Sequence, residues 1–251
     1  MNSAELSSPR TAGNENTNFL KLIAILCMLV DHIGAAFFPQ ATDLRLIGRI
    51  AFPLYCWCVV VGADYTRNIW KYALRLLAIG LISQPCYMGA LNHGWAELNI
   101  FATLLTGLLA IAGIREKRWG SHIWAPILSI LAACAVRMDY GWQGVTLILL
   151  LYAARKSRPA LAAVMIAFCL YWGNGSLILT RIFGLPLPTR VYFLPQGTAL
   201  FSALSRAQFW AILALPLMLL STPWRVRLPK WAAYVAYPAH LLIIALVRLW
   251  M

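Results

Sequence analysis

The chain has 251 residues, 61% of them hydrophobic and only 12% charged, where soluble domains run at about 45–50% and about 25%. That excludes a soluble single core, whose surface would be too apolar, and a disordered chain, which would be charge-rich; it leaves an integral membrane protein. The net charge of +13, from 21 Lys and Arg against 8 Asp and Glu, then reads as basic loops that set orientation and touch anionic membrane lipid, with no nucleic-acid partner.

Residues 1–18 are polar and read as a flexible N-terminal tail; residues 19–251 form the transmembrane domain. Apolar runs follow at about 19–38, 46–63, 69–90, 98–114, 122–136, 141–154, 160–179, 198–221 and 231–250. They do not alternate with polar residues, which sets aside a membrane β-barrel. The predicted fold is therefore all-α: a polytopic transmembrane bundle of about nine spans, with eight to ten allowed by length. The runs 122–136 and 141–154 are short and suggest a tight hairpin. The stretch 180–197, with three prolines and two arginines, reads as a structured loop or re-entrant piece. The first run is not expected to be a cleaved signal, because a long polar segment precedes it and Asp31-His32 interrupts it before any plausible cleavage site. The six cysteines (27, 56, 58, 86, 134, 169) all fall in apolar runs and read as free buried thiols.

Alternating the runs from a cytoplasmic N-terminus puts 14 of the 21 Lys and Arg on cytoplasmic ends, including Arg10, Lys21, Arg67, Lys71, Arg75, Arg115 and Arg155. The other side receives 7, among them Arg45, Arg49 and Arg248, together with Asp31, Asp43, Glu97, Asp139, His32 and His93.

Several residues carry chemistry. Asp31 and His32 lie at the end of an apolar run, where an ionisable group is costly and marks function unless it sits at the interface. Lys21 precedes His32 by eleven residues, which returns to within about 20° of the same helix face about 16 Å away, so the two can line one channel. Arg67, Lys71 and Arg75, spaced by four, form a basic stripe entering the third run, either a topology signal or a phosphate clamp. Arg49 lacks the positive-inside explanation and is expected to face Asp31, Asp139 or a substrate oxygen. Asn99 opens the fourth run, and Asp139 sits in the turn between the two short runs. His240, one turn after Tyr237-Pro238, is a mid-span histidine, catalytic or a helix–helix hydrogen bond. His93 and His122 read as solvated loop residues. No metal-ligand spacing is present.

The segments LKLIAILCMLVDHIG (20–34), IGRIAFPLYCWCVVVG (47–62), LNIFATLLTGLLAI (98–111), DYGWQGVTLILL (139–150) and YPAHLLIIAL (237–246) resemble the TraX family of conjugative-plasmid pilin acetylases, from about 20 to 250. More weakly, Lys21 and His32 resemble membrane acyltransferases that carry Arg, ten residues, then His; Lys keeps the charge but not the bidentate fork. The resemblance implies N-terminal acetylation of a pilin subunit in the bacterial inner (cytoplasmic) membrane, with acetyl-CoA as donor and no metal. Some relatives are expected instead to join pilin ends into a ring, and a non-enzymatic assembly factor is a third reading. On the acetylation reading His32 is the general base, and Arg49 or Asn99 stabilises the oxyanion. Asp31, Asp139 or His240 orients the imidazole or receives the amine. Lys21, Arg67, Lys71 and Arg75 bind the phosphates of acetyl-CoA.

Overall fold

The computed structural model describes residues 10–173, 176, 178–179, 181–186, 205–222, 226–229 and 231–251. It is 75% helical and all-α apart from one small hairpin. In chain order the helices are α1 (Thr17–Phe37), α2 (Thr42–Gly48), α3 (Ala51–Tyr65), α4 (Ile69–Leu91), α5 (Ile100–Glu116), α6 (Ser121–Ala135), α7 (Gly141–Ala154) and α8 (Arg158–Gly173). A hairpin of β1 (Arg181–Ile182) and β2 (Leu185–Pro186) follows. Then come a 3-10 stretch (Ala207–Leu213) running into α9 (Ala214–Leu219), and finally α10 (Ala232–Trp250).

Each apolar run of the sequence is represented by helix, though the first part of the 198–221 run lies outside the described residues. Among the described residues four rods are long and apolar enough to cross a membrane: α1, the α2–α3 pair (Thr42–Tyr65), α4 and α10. The 14 residues of α7 and 16 of α8 rise only about 21 and 24 Å, short of a hydrocarbon core of about 30 Å.

The centre of the bundle is α3. Between Ala51 and Ala63 nearly every side chain is buried, including Phe52, Leu54, Cys56, Trp57 and Val60 at 0% exposure. A helix apolar on all sides belongs in the middle, and α1, α5, α7 and α9 pack around it. Residues opening the helices satisfy their first N–H groups: the Asn16, Asn68 and Asn99 side chains accept from Phe19, Lys71 and Phe101. Of the cysteines, Cys27, Cys56, Cys58 and Cys169 are buried thiols, whereas Cys86 is half-buried and Cys134 exposed, on the outer faces of α4 and α6.

The rods run between two ends. At one, the expected tail is partly pinned. Residues 1–9 lie outside the described residues, but 10–16 do not hang free. Asn14 donates from its N–H to Met218 O (2.6 Å) and accepts from Trp57 Nε1 (2.8 Å). Ala12 N–H donates to Arg155 O (2.7 Å), and Arg158 Nε donates to Ala12 O (2.9 Å). Nearby, Arg155 pairs with Asp64 at 2.7 Å. Thr11 and Asn14 are 3% and 1% exposed: Thr11 donates from its N–H and hydroxyl to Glu15 Oε1, while Asn14 satisfies the Leu217 and Met218 carbonyls that the end of α9 leaves open.

At the opposite end, the loop before α5 is laced to the α6–α7 turn. Leu98 N–H donates to Arg137 O (2.9 Å), and Asp139 N–H to Leu98 O (2.8 Å). The Thr103 hydroxyl also donates to Asp139 O. Tyr140, at φ 64°, lays its ring on Phe52 with centroids 3.7 Å apart. The β1–β2 hairpin turns through Phe183 and Gly184, both at positive φ, and docks here by Phe183 N–H donating to Asp43 Oδ1 (2.9 Å). This accounts for residues 181–186 of the loop expected at 180–197; 180 and 187–197 lie outside the described residues.

Candidate functional site

A polar cavity with about 580 Å³ of empty space opens at this second end. It draws Asp31 and His32 from the end of α1, Arg45, Gly48 and Arg49 from α2 and its end, His93 from the loop after α4, and Asp139 and Tyr140 from the α6–α7 turn. The alternation read from the sequence put these acidic and imidazole groups on one side, and they meet here.

The imidazoles of His32 and His240 are stacked, with centroids 5.0 Å apart, and His32 Nδ1 lies 2.7 Å from His240 Nε2. For a pair of neutral imidazoles the hydrogen-bond partners fix the tautomers. His240 Nδ1 is 2.7 Å from the Ala236 carbonyl, which can only accept, so Nδ1 carries the hydrogen and Nε2 is a lone pair. His32 Nδ1–H therefore donates to His240 Nε2, and His32 Nε2 is left as a lone pair. The free lone pair of His32 is thus oriented by a second group, itself oriented by a backbone carbonyl. Among the three residues expected to orient His32, the geometry gives His240 the contact.

Asp31 is engaged elsewhere. Arg45 donates to its Oδ2 at 2.9 Å, and Arg49 lies 3.9 Å from Oδ1. Arg49 also donates to Gln208 Oε1 (3.0 Å), tying the clamp to the 3-10 stretch. Gly48 permits it: a Cβ there would collide with the Asp31 carboxylate. Asp139 also faces the cavity, and no hydrogen bond reaches its carboxylate from the described residues. Burial pushes this carboxyl up to about 6, against the lowering effect of Arg49.

A second, apolar cavity of about 560 Å³ of empty space runs between α1, α3, α4, α5 and α10. Its lining includes Val59, Leu76, Leu104 and Tyr234, with Lys21 as a cation within it. Tyr55, Ile100 and Tyr237 line both cavities. Lys21 and His32 thus line neighbouring cavities that share three wall residues.

Other residues singled out in the sequence lie away from the two cavities or are engaged differently from expectation. Asn99 does not face the cavity: its Oδ1 caps α5, and its amide hydrogens go to Gly80 O and Gln84 Oε1, both at 2.8 Å. It lies on a separate apolar groove between α4, α5 and α6. Arg67, Lys71 and Arg75 are exposed. Tyr72 and Leu76 face the passage, and Lys71 and Arg75, one residue earlier, are turned about 100° from it. His93 is not a free loop residue. It stacks on Tyr87 (4.5 Å), pairs with Glu97 Oε2 (2.5 Å) and rims the cavity; that bond holds the Glu97 carboxyl below its usual range. Arg45 was passed over in the sequence, although its spacing of four from Arg49 places both on one helix face. Among the described residues, no group of three His, Cys, Asp or Glu side chains is placed to hold a metal ion.

Comparison with known proteins adds a family. The model of the TraX protein family matches residues 16–248. A protein of Dichelobacter nodosus, described as a probable fimbrial assembly protein, FimC of serogroup H1, is 30% identical over 199 residues, covering 72% of this chain and 79% of that protein. Protein TraX of Escherichia coli is 28% identical over 158 residues, 60% of this chain and 62% of that protein. An uncharacterised protein of Rickettsia prowazekii is 45% identical over 100 residues, 40% of this chain and 38% of its own length. No solved structure matches the chain. The family match takes in both helices of the histidine pair and every rod around them: this chain belongs to the TraX family.

Proposed function

We propose that this protein acetylates the N-terminal amine of a pilin subunit, with acetyl-CoA as donor, in the bacterial inner membrane. In this reading its nine apolar rods cross that membrane, the shorter ones such as α7 and α8 where the bilayer thins locally, with the N-terminus cytoplasmic and the polar cavity on the outer side. The observation that carries the reading is the His32–His240 pair, standing where an apolar passage from Lys21 meets a polar cavity. Membership of the TraX family, and a relative named for fimbrial assembly, connect the chain to pilus assembly.

The lining suits this donor. A long, mostly apolar passage with one cation fits an acyl thioester on an extended arm with an anionic end, and Lys21 is the cation in place for that end. Acetyl-CoA supplies the activated carbonyl; the rest falls to the protein. Asp139 receives the acceptor's ammonium group, since Asp31 is held by Arg45 and Arg49. The ammonium loses one proton to solvent through the open cavity, which leaves a neutral amine. As its nitrogen bonds to the acetyl carbon, His32 Nε2 takes the second proton. The carbon–sulfur bond breaks, and His32 returns that proton to the departing sulfur. His240 keeps the lone pair of His32 directed at the amine throughout.

Intact-mass measurement of the pilin, from cells with and without this protein, tests the reading. A gain of one acetyl group is expected. Loss of one water would show end-joining instead, and unchanged mass would show an assembly role without chemistry.

A further inference from the structure

The hydroxyl of Tyr237 is not used by the chemistry above. Tyr237 is 3% exposed, and its oxygen is buried with no hydrogen-bond partner among the described residues. Phenylalanine would fill the same space without stranding a polar atom, and native interiors seldom keep such a group unless something else completes it.

Its position says what that is. Tyr237 lies one turn before His240 on α10 and meets both imidazoles edge-on, at 6.1 Å from His32 and 5.5 Å from His240. Phe101 packs against it at 5.2 Å, so the ring is fixed from three sides. With Tyr55 and Ile100, it forms the seam between the apolar passage and the polar cavity. An acyl carbonyl carried along the passage must reach this seam to come within range of His32. Of the other donors considered for its oxygen, both amide hydrogens of Asn99 are taken; Arg49 directs its terminal nitrogens to Gln208 and Asp31, and its unpartnered Nε belongs to a residue that lines the polar cavity alone, not the seam.

We propose that the Tyr237 hydroxyl is the oxyanion donor of this site. This rests on the acyl-transfer reading. When the nucleophile bonds to the acyl carbon, the carbonyl π electrons move onto oxygen, and Tyr237 O–H donates to that oxygen. The double bond re-forms as the leaving group departs, and Tyr237 keeps its proton throughout.

The test is Tyr237→Phe, read by the rate of pilin mass change with purified components and by thermal melting. Removing one such donor lowers kcat by about 10²–10³-fold. The KM for acetyl-CoA is expected to stay within about twofold, and the melting temperature to hold or rise, because an orphaned hydroxyl has gone. Wild-type kcat in Tyr237→Phe, with the unaltered protein active, overturns the assignment and leaves the acetylation reading standing. A fall in kcat matched by a fall in melting temperature also overturns it, since the role is then structural. If pilin loses water instead, and the variant slows that reaction equally, the hydroxyl keeps its role and only the acetyl-CoA reading fails. A wild-type protein that changes pilin mass in neither way removes both.

Discussion

Replacing His240 with alanine separates the two histidines by role. In the structure His32 Nδ1–H donates to His240 Nε2 at 2.7 Å, and His32 is 8% exposed. The alanine variant leaves that buried donor without a partner, at a cost of about 1–3 kcal/mol. His32 can recover part of this by rotating or changing tautomer, and either movement takes the Nε2 lone pair away from the amine. If the whole cost falls on the productive geometry, turnover drops about 5- to 150-fold. If His32 is the base, as proposed, His32→Ala is expected to lower turnover about 10²–10⁴-fold. Because His240 acts through His32, the double variant should be no slower than His32→Ala alone. His240→Gln, whose side-chain oxygen can accept the same hydrogen, should fall between the wild type and His240→Ala. The assay is the initial rate of acetyl gain on pilin, by intact mass, with membrane protein levels matched. A His240→Ala enzyme slower than His32→Ala would make His240 the base. A double variant whose loss is the product of the two single losses would show that the histidines act independently, and the relay would be refuted.

Asp139 gives a pH test: its carboxyl titrates at about 6 rather than 3.8 because it is buried, with Arg49, His93 and Arg45 pulling it down and Asp31 pushing it up. If it holds the pilin ammonium, the KM for pilin rises as pH falls through 6, while Asp139→Asn shows a raised KM that does not vary over that window. The stability sign is opposite, because the folded chain binds this proton more tightly than the unfolded one; wild type should therefore gain stability over Asp139→Asn as pH falls from about 6 to 4, and a gain on raising pH would refute the assignment. Lys21→Gln should raise the KM for acetyl-CoA about 10-fold or more, through loss of a charge-assisted contact, whereas Arg75→Gln, turned off the passage, should change it less than about twofold; the reverse order would move the donor site to the exposed stripe. Gly48→Ala should destabilise the fold by about 1–3 kcal/mol, because its Cβ collides with the clamped Asp31 carboxylate; a thermal shift assay in detergent that shows no loss would mean α1 and α2 can part freely.

The parts of this architecture written in local composition were legible in the sequence. A backbone in lipid must satisfy its own polar groups, so each apolar run had to be helical. Alternating those helices was enough to bring Asp31, His32 and Asp139 to one end. The histidine pair was not legible, since His32 and His240 are 208 residues apart and nothing in either helix says that α1 and α10 are neighbours. Asn99 shows a different failure. An Asn placed just before an apolar run is a helix cap by the ordinary rule, and that local role outweighed the chemical one suggested by resemblance. Of the Arg67, Lys71 and Arg75 stripe, Lys71 and Arg75 share a face of α4, while Arg67 precedes the Asn68 cap and lies off the helix; a period of four fixes only which helical residues share a face, not where the helix begins or which neighbour that face meets. Tyr72 and Leu76 took the inward face, and the long basic side chains took the outward one, where a charge keeps its hydration. The polar segment 10–16 was misread because polarity was taken to mean exposure. At the end of a bundle, where helix carbonyls lack partners, polar side chains and a free backbone are what the buried surface requires.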